Sequence, residues 1–79
     1  MSLHGGLMVN GEVIGEWSAR RTTLDVYEVN RYECRVILNG EEVEFTIAHT
    51  YGLGAATLAS EVLAEGGRLL HPRLEGKVP

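Results

Sequence analysis

Residues 32–47 read Tyr32-Glu-Cys-Arg-Val-Ile-Leu-Asn39-Gly40-Glu-Glu-Val-Glu-Phe-Thr-Ile47. Asn-Gly readily adopts the positive backbone angles of a type I′ turn, whose twist matches that of two paired strands. A two-residue loop at Asn39-Gly40 sets Leu38 opposite Glu41, and the upstream pairs follow: Val36 with Val43, Cys34 with Phe45, Tyr32 with Ile47. These apolar pairs share one face, while Arg35 with Glu44 and Glu33 with Thr46 take the other. A slip of one residue would scatter that sorting, so turn and pattern specify one register.

Working outward, Asn10-Gly11 offers a second hairpin, with Met8 opposite Val13 and Leu7 opposite Ile14. Its strands are weakened by Gly5, Gly6 and Gly15. Residues 13–20 read as strand, with Val13 and Trp17 on one face. Residues 22–29 form a further extended run rich in β-branched and aromatic side chains. That run either bends directly into the strand at Arg31 or turns at Asn30, and the sequence leaves both pairings open.

From Gly54 the period changes. Ala55, Leu58, Ala59, Val62 and Leu63 follow helical spacing, with Thr57, Ser60, Glu61 and Glu65 opposite them. Gly66-Gly67 predicts a C-terminal stop near Glu65, and Arg68–His71 a short last strand ended by Pro72. A helix of that length is marginal alone in water. It must dock on the face carrying Tyr32, Cys34, Val36, Val43, Phe45 and Ile47. The expected fold is therefore α+β: an antiparallel sheet of three or four strands followed by one C-terminal amphipathic helix across one face. Its order is β-β-β-α, with the short last strand optional. The 79 residues make one domain, with 1–6 and 73–79 as loose ends.

Size and charge narrow the function. A chain this short buries roughly 60% of its unfolded surface, so small folds lean on disulfides, metals or partner subunits. One cysteine excludes an internal disulfide, and His4, His49 and His71 match no zinc spacing, which leaves oligomerisation as the support. No apolar run reaches the ~20 residues of a membrane helix, and no charged-then-apolar leader opens the chain. With one unpaired thiol, a reducing cytoplasm is the expected location. The net charge of −4 argues against a life on phosphate backbones. Six of the seven basic residues are arginine, however, so Arg20, Arg21, Arg31 and Arg35 on one side of the sheet are the alternative reading, a nucleic-acid contact surface.

Tyr51-Gly-Leu-Gly54 before a helix has the look of an anion-binding turn. A dinucleotide fingerprint needs a third glycine where Thr57 stands, and a phosphate loop needs a lysine, whereas no lysine precedes Lys77. The turn is better read as a hinge from strand to helix. His49 falls opposite Asn30, about four residues along the strand from Cys34, which is more than ~10 Å and too far for a Cys–His dyad. Cys34 therefore reads as a small buried hydrophobe, Trp17 as packing, and Glu41, Glu42 and Glu44 as a solvated hairpin tip. No catalytic, metal or cofactor residues emerge.

One helix covers only one face of a sheet. The other face is expected to carry Arg35, Glu44, Ile37, Tyr27, Val29 and Ile14, a mixture suited to a protein partner. The expectation is a non-enzymatic interaction module, self-associating as a homodimer through this open face or an edge strand.

Overall fold

The computed structural model describes residues 2–22, 30–49 and 52–75. The extended run at 23–29, with Asp25, Tyr27 and Val29, lies outside the described residues, as do Tyr51 and the last residues, 76–79. Among the described residues four strands precede one helix: β1 Ser2–Val9, β2 Glu12–Arg21, β3 Asn30–Leu38, β4 Glu41–His49 and α1 Ala55–Glu75. The sheet is an antiparallel meander in the order β1-β2-β3-β4.

Both Asn-Gly turns form. Asn10 and Asn39 have φ of 51° and 50°, and Gly11 and Gly40 have 78° and 82°, the positive angles of a type I′ hairpin. The β3–β4 register matches the sequence reading pair by pair, from Leu38↔Glu41 through Val36↔Val43 and Cys34↔Phe45 to Asn30↔His49. In β1–β2, Met8 pairs with Val13 as expected, but Leu7 pairs with Gly15 and not Ile14. Ile14 is the extra residue of a β-bulge, and its carbonyl accepts a hydrogen bond from Asn39 N at 3.0 Å. The bulge reverses the alternation, so Val13 joins Met8 on the face away from Trp17.

Residues 2–6 are not a loose end. Leu3 pairs with Ala19 and Gly5 with Trp17, and Leu3, Leu7 and Trp17 pack against the core. The indole of Trp17 lies directly over Gly5: a Cβ there would stand 2.6 Å from Nε1.

The helix is the larger correction. It does not stop at Gly66-Gly67 but runs 21 residues to Glu75, about 31 Å, and absorbs the stretch expected as a last strand. Neither glycine takes the left-handed angle of a helix C-terminus. Gly66 belongs instead to a buried stripe at fourfold spacing, Leu58–Val62–Gly66–Leu70, that rests on Tyr32, Cys34, Val36, Val43 and Ala19. A Cβ on Gly66 would fall 2.5 Å from Cγ2 of Val36, so glycine allows the helix to approach this closely. Pro72 sits in the final turns, where its missing N–H forgoes one bond to the Arg68 carbonyl before the helix ends. α1 packs across β4, β3 and β2, leaving β1 at the far edge.

Gly66→Ala should therefore lower stability by about 1–2 kcal/mol, since overpacking against stiff Val36 outweighs the gain in helix propensity. Gly67→Ala, where a Cβ meets nothing within 4 Å, should raise it by up to ~1 kcal/mol. Urea midpoints of the two variants would move in opposite directions.

Candidate functional site

The strand-to-helix turn is held from below. Tyr32 is buried, and its hydroxyl accepts a hydrogen bond from Leu53 N at 3.0 Å. The helix then opens with Leu58 N on Gly54 O at 2.9 Å. A Cβ at Gly54 meets nothing within 4 Å, and one at Gly52 meets only Asn30 Oδ1 at 3.9 Å. Gly54 lies outside the left-handed region, so the hinge does not draw on a glycine-only conformation there. The first turn of α1 also lacks an acidic residue.

His49 lies at the end of β4 beside Asn30, with Nε2 2.6 Å from Oε2 of Glu61 on α1. This pair ties the sheet to the second turn of the helix, a contact the sequence reading missed. The facing pattern gives no spacing signal for it, because the two residues meet only once the helix is docked. Cys34 faces Phe45, four positions away from the Asn30–His49 pair. Its thiol is buried and donates to Tyr32 O at 3.6 Å, and burial pushes its pKa above the ordinary value. Among the described residues no group of three or more His, Cys, Asp or Glu is placed to hold a metal ion, and no helix is long and apolar enough to cross a membrane.

Among the described residues, no helix or further strand lies over the other side of the sheet. β3 presents Glu33, Arg35 and Ile37 there, β2 presents Ser18 and Arg20, and β4 presents Glu42 and Glu44. Arg35 stands opposite Glu44, as the register requires, but its guanidinium bonds the diagonal neighbour Glu42. That bond and charge hold the Glu42 carboxyl below its usual value, against a smaller opposing effect of desolvation. Arg20 pairs with Glu33 directly across the strands. Of the four arginines, Arg20 and Arg35 thus each engage a carboxylate, Arg31 stands opposite Ala48, and Arg21 alternates to the helix side opposite Tyr32. Arg20, Arg31 and Arg35 therefore share the open face, but Glu33, Glu42 and Glu44 are interspersed among them, and only Arg21 lies on the other side.

Of the expected interface residues, Ile37 is half-buried on the open face, with Arg35 and Glu44 exposed beside it, while Ile14 sits at the bulge. Met8 and Val13 are the apolar groups that the reading missed there, exposed at 62% and 65%. Gly15, a glycine inside a strand, is the sequence signal that could have revealed the bulge and with it the flip of Val13. No family model matches the chain, and comparisons with curated proteins and with solved structures find no match.

Two measurements check these contacts. Because Glu42 and Glu65 are both held below the usual carboxylate range by neighbouring arginines, their contribution is complete above the unfolded value of about 4.3 and is lost as pH falls through the lower folded value. Urea midpoints between pH 3 and 6 should fall less steeply on acidification for Arg35→Gln than for the parent. Cys34 should react with a thiol reagent on the order of a hundredfold more slowly in the native protein than in urea, because access requires opening of the core.

Proposed function

We propose that this chain is a small interaction module, without chemistry of its own, that self-associates as a homodimer through the open face or an edge of its sheet. The observation that supports this reading is the one-sided cover: α1 lies over β2–β4 on one side, while Met8 and Val13 stand exposed on the other. A sheet surface that mixes exposed aliphatic groups with internally neutralised charges suits a protein surface better than water. The unpaired, buried thiol of Cys34 fits a reducing cytoplasmic setting.

The reading as a nucleic-acid module draws less from the geometry. Arg20 and Arg35 are already neutralised by Glu33 and Glu42, and Arg21 faces away from them.

Sedimentation velocity from about 1 to 100 μM should reveal a monomer–dimer equilibrium with a Kd in or below the micromolar range, about −8 kcal/mol. A species that stays monomeric throughout would remove the proposal. Ile37→Glu distinguishes the two surfaces. A face-to-face dimer would weaken at least about 30-fold for a buried, unpaired charge worth about 2 kcal/mol or more, and an edge-paired dimer would keep its Kd.

A further inference from the structure

We infer that the two copies join through β1, pairing antiparallel about a two-fold axis to make one continuous eight-stranded sheet. This rests on the reading of the chain as a self-associating module and names the surface that it uses.

The two edges of the sheet differ in chemistry. β4 is defended: Glu41, Glu42 and Glu44 lie within its nine residues, and Arg73 of α1 reaches over to donate to the Glu42 carbonyl at 2.6 Å. Charge and a covering side chain are the usual means of keeping an edge strand from pairing. β1 has neither. Its eight residues, Ser-Leu-His-Gly-Gly-Leu-Met-Val, hold no Asp, Glu, Lys, Arg or Pro. In a chain of net charge −4, this strand is the seam at which a second copy meets no like charge.

The strand is also self-complementary. Centring the two-fold on Gly5 sets Leu3 opposite the partner's Leu7 on the helix side, and Gly5 opposite its own copy. On the open side the same register sets His4 opposite the partner's Gly6. Leu3 and Leu7 are half-buried at the rim of the core, so the pairing closes the apolar layer that α1 leaves unfinished. Because each indole lies over Gly5, the two Trp17 rings approach one another across the axis. Shifting the register by two residues in either direction loses both Leu3–Leu7 pairs. An interface built from the same strand on both subunits is the arrangement that a two-fold requires.

The test places a spin label at Gly6→Cys in a Cys34→Ala background. A Cβ at Gly6 meets nothing within 4 Å, so the substitution is accommodated. Across the proposed seam the two labelled Cα atoms lie about 7–8 Å apart, as diagonal neighbours. Labels at Thr46→Cys on β4 lie seven strand spacings apart, about 30 Å or more. The expected result is a dimer by sedimentation, strong dipolar broadening for the Gly6 label, none for the Thr46 label, and an unchanged Kd for Ile37→Glu. A dimer without broadening at Gly6 overturns the β1 seam and leaves self-association standing. A labelled protein that is monomeric, like the unlabelled parent at the same concentration, overturns both.

Discussion

The close contact between Gly66 and Val36 sets the distance at which the helix lies on the sheet. Leu58, Val62 and Leu70 share the same stripe, and at that separation they form one buried cluster with Tyr32, Cys34 and Val43. Each neighbouring feature depends on this seating. With the helix seated at this height the Tyr32 hydroxyl meets Leu53 N and Glu61 meets His49, and because the helix runs on past Gly66-Gly67, Arg73 meets the Glu42 carbonyl. In so thin a domain one missing methyl group governs how two layers fit.

The result is a molecule with two unlike sides and two unlike edges. On the covered side, apolar residues from β2, β3 and β4 meet one helix. On the other, arginines and glutamates neutralise one another across strands while Ile37, Met8 and Val13 remain near the surface. These surface ion pairs add little to stability. Their main effect is to remove net charge from the face, and that distinguishes it from a surface made for phosphates. The asymmetry of the edges follows from composition: glutamates gather on β4, and β1 carries only Ser2 and His4 as polar side chains.

Much of this was legible in the sequence wherever local chemistry and long-range packing agree. The Asn39-Gly40 turn fixed a register, and alternation then sorted every pair of β3 and β4 correctly, including the separation of His49 from Cys34. Reading failed where a glycine served tertiary packing and not local conformation. Gly66-Gly67 resembles a stop, and only the continued spacing to Leu70 hints that the stripe runs through it. Gly5 and Gly6 suggested a frayed end, although Gly5 is needed to seat the Trp17 ring. The single extra residue at Ile14 inverted one hairpin's faces, a change invisible to any argument that counts in twos. Of the candidate site, Ile37, Arg35 and Glu44 were placed on the open face correctly, and Met8 and Val13 were overlooked for that reason.

The connectivity also carries a consequence for how the chain is made. Every described strand pairs with its neighbour in sequence, so the meander is built from pairings of consecutive segments with no crossover. The helix that shields its apolar face follows all four described strands in the sequence. During synthesis the nascent sheet therefore leaves the ribosome with Tyr32, Val36, Val43 and Phe45 bare until α1 has emerged and docked. The glutamates of β4 are then already present at one edge, so the interval of greatest vulnerability is passed with that edge protected by charge.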